Sequence, residues 1–460
     1  MIGEELIAQL RSMLGDRVAT GDSVRDIHSR GESHHHGVLP DAVVFPTSTA
    51  EVQAIVNACA AAGCPMTAFG AGSSLEGHVI PLRHGVTIDL TRMNRVLRLS
   101  VEDLDVTVEA GVTRKQLEKH LQSSGLWFPL DPGADATLGG MAATRASGTT
   151  AVRYGTMKDA VLGLMVVTAD GKIVKTGTRA RKSSAGYDLT RLFVGAEGTL
   201  GIITELTLRL HGRPEAIASA TCWFESIDDA VNAVIVIVQL GIPVARIELL
   251  DDTMMEAVNR HSKLSRPVAP TLFFEFHGLS DAAVDEHARA TGDVLAEHGA
   301  HDYARATSPE DRAKLWQARH DAYYAALALR PGSRSWTTDV CVPISRLAEC
   351  IHETKADLAD SPLLGPLVGH VGDGNFHLLL PVDPDSPTDM AAAERLVDRL
   401  VARSLALGGT CTGEHGVGMG KIKFLEAEHG REALDIMRAI KHALDPKNLM
   451  NPGKMLPPQA

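Results

Sequence analysis

Asp131-Pro132-Gly133-Ala134-Asp135-Ala136-Thr137-Leu138-Gly139-Gly140-Met141-Ala142-Ala143-Thr144 runs on into Ser147-Gly148-Thr149 and Arg153-Tyr154-Gly155-Thr156. So many small residues in succession cost chain entropy unless the backbone must approach another group closely. A second dense segment, Gly195-Ala196-Glu197-Gly198-Thr199-Leu200-Gly201-Ile202-Ile203, leads into a strand. A third, Phe69-Gly70-Ala71-Gly72-Ser73-Ser74-Leu75-Glu76-Gly77, follows one. The third segment fails two familiar tests. A Rossmann fingerprint needs glycine where Leu75 stands, and a P-loop needs lysine where His78 follows Gly77. What remains is a loop of backbone N–H groups and small hydroxyls suited to a pyrophosphate, although a tight turn accounts for residues 69–77 equally well. Three glycine-dense segments in one region point to one extended cofactor, such as a dinucleotide, touched from several sides. The alternative is a loop-rich sandwich with tight turns.

Around these loops the first 210 residues alternate strands and helices. Ser48-Thr49-Ala50-Glu51 reads as a capping box, followed by Val52, Ile55, Val56 and Cys59 at helical spacing and by Gly63 as terminator. Val86/Ile88/Leu90 and Val106/Val108 read as half-buried strands, and Thr113 with Gln116 caps a further helix. Residues 161–168, Asp170-Gly171 and Ile173-Val174 predict a hairpin with a type I′ turn. The pattern changes near His211-Gly212-Arg213-Pro214. Beyond it, strands at 221–224, 244–250 and 271–277 alternate with helices ending at Leu240 and beginning at Asp281, which predicts an α+β domain with helices on one face of a mainly antiparallel sheet. Residues 390–407 and 431–444 read as helices, the second ended by Asp445-Pro446.

The bulk properties narrow the function. A chain of 460 residues implies two or three domains. Its 44% hydrophobic and 22% charged composition is that of an ordinary globular protein, and a formal charge of −12 argues against a nucleic-acid partner. No apolar run approaches the roughly 18 residues of a membrane span, and the N-terminus shows no secretory pattern. The six cysteines are scattered, with no CxxC pair, so they read as reduced and mostly buried, in a cytoplasmic protein, and any electron relay lies outside the chain. His34-His35-His36 reads as a surface loop rather than a metal site.

Two later motifs carry chemistry. His370-Val371-Gly372-Asp373-Gly374-Asn375-Phe376-His377 sets two histidines seven residues apart across a glycine-rich turn. Odd spacing on an extended segment gives opposite faces, so the turn must redirect the chain if the two rings are to converge. Gly413-Glu414-His415-Gly416 follows. Two imidazoles and a carboxylate suit Zn²⁺ or Mn²⁺ with open positions for substrate oxygens. By spacing alone, core histidines beside a surface glutamate fit better than a metal site. Cys411 reads as a small buried hydrophobe, and Arg319 as half of a surface ion pair on a helix.

Taken together, residues 40–455 resemble the vanillyl-alcohol-oxidase-like flavoproteins. The nearest branch is the one holding cytochrome-type D-lactate dehydrogenases, the glycolate oxidase FAD subunit and D-2-hydroxyglutarate dehydrogenase. The stretch from Asp131 through Arg181-Lys182-Ser183-Ser184-Ala185-Gly186-Tyr187-Asp188 to Leu210 is the part specific to that branch. The resemblance implies a two-part FAD-binding domain over residues 1–212, a substrate (cap) domain with an antiparallel sheet over 213–410, and a C-terminal segment, 411–460, that returns to the FAD domain and completes the active site. It implies that Phe69, Gly70, Ala71, Gly72, Ser73, Ser74 and Gly77 hold the pyrophosphate. The rest of the FAD then falls to Pro132, Gly133, Thr137, Gly139, Gly140, Thr144, Ser147, Gly148 and Tyr154, with Glu197, Gly198, Gly201, Ile203 and Asn451. Ser73 stands where some relatives carry a flavin-linking histidine, so the FAD is expected to be non-covalent.

The same resemblance makes His370, His377 and Glu414 ligands of a divalent metal, Zn²⁺ or Mn²⁺, and His415 the catalytic base. It places Arg319 on the substrate carboxylate and lets Asn375 orient a ligand or the substrate. Thr337 stands where 2-hydroxyglutarate enzymes carry a lysine, which favours a short D-lactate-like hydroxy acid over D-2-hydroxyglutarate or glycolate. The metal would fix the substrate's carboxylate and C2 hydroxyl together, and the C2 hydride would pass to flavin N5. Electrons would then leave to a cytochrome, a quinone or an electron-transfer flavoprotein. A homodimer, and a cytoplasmic location with peripheral attachment to a membrane, are compatible with this reading.

Overall fold

The computed structural model describes residues 3–458, and the chain divides into two compact units. The first comprises residues 1–148, 155–213 and 414–460; the second comprises 149–154 and 214–413.

The first unit holds two main sheets, besides a two-stranded pairing of His211–Gly212 with Leu126–Trp127. In the smaller, strands Val18–Ala19, Ala42–Val44, Val86–Asp89 and Met66–Phe69 lie side by side in that order, the last three mutually parallel. Val86–Asp89 is buried on both faces, so the half-buried pattern expected there is corrected: a central parallel strand is covered above and below. The second sheet is antiparallel and five-stranded, ordered Val96–Ser100, Asp105–Glu109, Ile202–Arg209, Val161–Val167 and Ile173–Lys175. One continuous apolar core joins both, with Leu6, Leu10 and Leu14 of the first helix and Ile55, Val56 and Cys59 of the helix Thr49–Ala61 packed into it. The C-terminal segment closes on this unit, where Met66 N donates to Leu449 O and Asn451 N to Met66 O.

Several local expectations hold and others shift. Thr113 and Gln116 form a full capping box. Ser48 caps its helix through Glu51 N, but the Glu51 carboxylate accepts from Arg17 and from Thr47 N instead of reaching back to Ser48. Strands 161–167 and 173–175 form the expected hairpin, but Gly171 has positive φ (75°) and Asp170 does not, which rules out the type I′ turn. The histidine tract is not a surface loop. His34 is buried and His36 is exposed, and His35 Nε2 lies 3.7 Å from Glu76. Burial, with the neighbouring His35, His36 and Lys421 charges, lowers the His34 pKa to about 3.

The second unit is built on one sheet in which every pairing is antiparallel. Its order is His301–Ala306, Ala216–Trp223, Thr271–Gly278, Val244–Leu250, Leu367–His370, Asn375–Val382 and Arg334–Thr337, with Val340–Cys341 also paired to Asn375–Val382. Helices cover both faces, which corrects the expectation of one. Asp252–Ser262 and Pro309–Ala328 bury Leu250, Phe273, Val368 and Leu379 on one side. Alternate residues point the other way, toward the layer that holds Asp281–Glu297 and Pro387–Ala406. The strand Asn375–Val382 is accordingly buried along its whole length.

Candidate active site

A cleft with an empty volume of about 1290 Å³, mouth included, opens within the first unit. All three glycine segments wall it: Phe69, Gly70, Ala71, Gly72, Ser73 and Ser74 from the first, Pro132, Thr137, Gly139, Gly140, Thr144 and Ser147 from the second, Glu197, Gly198, Gly201 and Ile203 from the third. Thr137 caps the helix Leu138–Thr144 and accepts from Gly140 N. A Cβ on Gly139 would meet the Ala110 Cβ at 2.6 Å and its carbonyl oxygen at 2.8 Å, so that glycine lets helix and strand approach. A Cβ on Gly140 meets nothing closer than Thr137 Oγ1 at 3.0 Å, so that position faces the cleft.

The residues fit FAD. Ser74 Oγ lines the cleft, buried and without a hydrogen-bond partner, so a polar group is owed to it there. The remaining wall is mainly apolar or small, as an isoalloxazine and an adenine need.

Five residues assigned to the cofactor stand elsewhere. Gly77 packs on Met419, Gly133 is exposed, and Gly148, with φ 131°, lies against the Asp131 backbone. Tyr154 belongs to the second unit, where its hydroxyl donates to His277 Nδ1 at 2.7 Å while His277 Nε2 donates to Glu275. Asn451 Nδ2 donates to the carbonyls of His78 and Glu197, supporting the wall from behind.

Glu414 and His415 line this same cleft. Their loop is held by Glu197, whose buried carboxylate accepts from Val417 N at 2.7 Å and Gly418 N at 2.8 Å. Gly416 has φ 83°, and a Cβ there would meet both Glu197 Oε1 and His78 Nε2 at 2.7 Å. His78 lines the cleft and reaches Glu197 at 3.2 Å. The resemblance marked Glu197 as a cofactor residue; its side chain does something the local sequence does not announce, clamping the histidine-bearing loop across more than two hundred residues of chain.

In the second unit, His370 ends the strand Leu367–His370 and His377 lies in Asn375–Val382. The two strands pair with His370 opposite Asn375 and Val368 opposite His377. Opposed residues of a hairpin share a face, and residues two apart on one strand do too, so His370 and His377 converge despite their odd spacing. Their rings lie 5.4 Å apart at 78°. His377 Nδ1 donates to Thr338 O at 2.9 Å and His370 Nδ1 to Glu248 Oε1 at 2.6 Å. Asn375 Nδ2 donates to Asp339 Oδ1 and Val340 O, while its buried Oδ1 has no partner. Gly413 packs directly on Asn375 and Asp339, so the peptide leading into Glu414 starts from this corner.

Glu248 and Asp339, fully buried acids of this corner, were not anticipated. Arg319 does form an ion pair, but with a buried partner: its Nε donates to Glu248 Oε2 at 2.7 Å. Burial alone would raise the Glu248 carboxyl, but His370 and Arg319 outweigh it and hold its pKa below the usual range. Cys411 is buried as expected.

Two sheets around a glycine-walled cleft with a histidine in its wall define a dinucleotide-dependent oxidoreductase of the flavoprotein type. Residues 40–177 match the family described as FAD binding domain, and residues 213–455 match FAD linked oxidases, C-terminal domain. The chain belongs to this family of FAD-linked oxidases. It is 53% identical to the probable mitochondrial D-lactate dehydrogenase of Danio rerio, over 98% of this chain and 92% of that one. It is 46% identical to the mitochondrial D-lactate dehydrogenase [cytochrome] of Arabidopsis thaliana, over 99% of this chain and 81% of that one. The structure of p-cresol methylhydroxylase shares the fold, with a TM-score of 0.81 at 21% identity, covering 98% of this chain and 96% of that one.

These relatives overturn the cytoplasmic expectation, since both are named as mitochondrial proteins. Scattered thiols exclude a disulfide framework but select no compartment. Among the described residues, no helix is long and apolar enough to cross a membrane.

Proposed function

We propose that this chain is an FAD- and metal-dependent dehydrogenase that oxidises D-lactate or a similarly short D-2-hydroxy acid to the 2-oxo acid. The observation that carries the reading is the presence of His415 in the wall of the glycine-lined cleft. It puts a group able to take a proton near neutral pH beside the cofactor site. FAD, when bound, supplies the hydride acceptor for the substrate C2 hydrogen, and a divalent ion supplies an electrophile for the substrate oxygens.

His370, His377 and Glu414 are the proposed metal ligands. Both imidazoles spend Nδ1 on an oxygen, the arrangement that presents Nε2 to an ion. Two nitrogens and one carboxylate suit Zn²⁺ or Mn²⁺. Arg319 holds the substrate carboxylate through its η-nitrogens, and the Asn375 amide oxygen offers an acceptor to the substrate. His415 takes the C2 hydroxyl proton. Thr337, its hydroxyl 2.9 Å from that of Ser335, offers no cation for a distal carboxylate, which favours a short side chain. Electrons then leave to a separate acceptor, a cytochrome, a quinone or an electron-transfer flavoprotein.

Anaerobic mixing with a panel of D- and L-2-hydroxy acids tests the substrate. D-Lactate is expected to bleach the flavin fastest. An oxidised flavin with D-lactate, reduced by D-2-hydroxyglutarate or glycolate, would reject the assignment. Chelation tests the metal. Dialysis against EDTA is expected to abolish turnover while the yellow flavin absorbance stays with the protein, and full activity after verified metal removal would refute the His370–His377–Glu414 site.

A further inference from the structure

We propose that Glu248 is a positioning residue that couples the metal-binding imidazole of His370 to the substrate-binding guanidinium of Arg319. The inference rests on the metal and substrate roles proposed above.

Glu248 lies on the strand Val244–Leu250, which pairs with Leu367–His370 so that Leu249 faces Gly369 and Leu250 faces Val368. Continuing that register sets Glu248 across from His370, so the sheet itself brings the carboxylate to the imidazole. The carboxylate is fully buried and divides its oxygens: Oε1 accepts from His370 Nδ1 at 2.6 Å, Oε2 from Arg319 Nε at 2.7 Å.

Each half has a consequence. A carboxylate on Nδ1 fixes the tautomer and ring plane of His370, so that Nε2 is the coordinating atom and is more basic. A carboxylate on Nε of Arg319 locks the guanidinium plane and leaves both η-nitrogens for a second, bidentate carboxylate. One buried acid therefore sets the direction of a metal ligand and of a substrate ligand together. A charge pair serving stability alone would need Arg319 and Glu248 and would leave His370 indifferent.

The test uses the FAD-loaded protein, stripped of metal and titrated with Mn²⁺ or Zn²⁺ against a chromophoric chelator, beside steady-state kinetics on D-lactate. Glu248→Gln keeps the shape but cannot accept from both partners. It is expected to weaken metal affinity about ten- to a hundredfold, as loss of such a partner does elsewhere. The KM for D-lactate should rise by more than the kcat falls, with the FAD spectrum retained. Metal affinity and KM within about twofold of wild type would overturn the inference.

Should Glu248→Gln fail to retain FAD, Arg319→Gln carries the test. That arginine is assigned no metal contact, yet coupling through Glu248 predicts a shift in metal affinity of about threefold or more, the size of an ordinary coupling between neighbours. Unchanged affinity would overturn the coupling. A wild-type protein that takes up no metal would instead refute the metal reading itself, and the KM of Glu248→Gln would then judge the Arg319 half alone.

Discussion

His415→Asn is expected to lower the rate of flavin reduction by D-lactate about 10²- to 10⁴-fold, the usual contribution of a positioned general base. Bound FAD and its absorbance should be preserved. The substitution keeps a hydrogen-bonding side chain of similar reach but removes the proton acceptor. Its neighbourhood is held by other residues: Glu197 accepts from Val417 N and Gly418 N whatever side chain stands at 415. The loop should therefore keep its course, and the loss should appear in kcat more than in KM. Stopped-flow reduction under anaerobic conditions measures the step directly. Wild-type rates with every hydroxy acid tested would remove His415 as the base.

Gly140→Leu is expected to give a folded protein with FAD affinity reduced about 5- to 150-fold, which corresponds to the ~1–3 kcal/mol of forcing extra bulk into an occupied space. The position is open on the side that faces the cleft, so a larger side chain fills the place a cofactor would take. The adjacent Gly139→Leu makes the contrast. A side chain there collides with Ala110 inside the core, and loss of soluble protein is expected rather than loss of colour. Equilibrium dialysis of FAD with circular dichroism separates the two outcomes. An FAD-replete Gly140→Leu protein would show that the cofactor does not pass this wall.

What was legible in the sequence followed local rules. Small residues in three clusters announce close backbone approach wherever the chain goes, and capping residues such as Thr113 with Gln116 act within one turn of helix. The FAD-domain fold and the family could be read from these clusters because their chemistry depends on residue type more than on distant partners. Expectations that depended on distant neighbours were less secure. Val86–Asp89 became a central parallel strand because Ala42–Val44 and Met66–Phe69 flank it, and the cap sheet is covered on both faces because helices far apart in the chain return to it. The polar tract predicts a surface position for His34, yet tertiary packing buries it.

The sequence by itself determined which donors exist: glycines for a cradle, His370 and His377 across a turn, and Glu414-His415 between glycines. Only the tertiary structure decided how they face. Hairpin register turns an odd spacing into a shared face for the two imidazoles. Strand pairing brings Glu248 to His370, and Glu197 reaches over two hundred residues along the chain to tie down the loop of His415. These are long-range pairings made by backbone register and burial, and no window of neighbouring residues contains both partners.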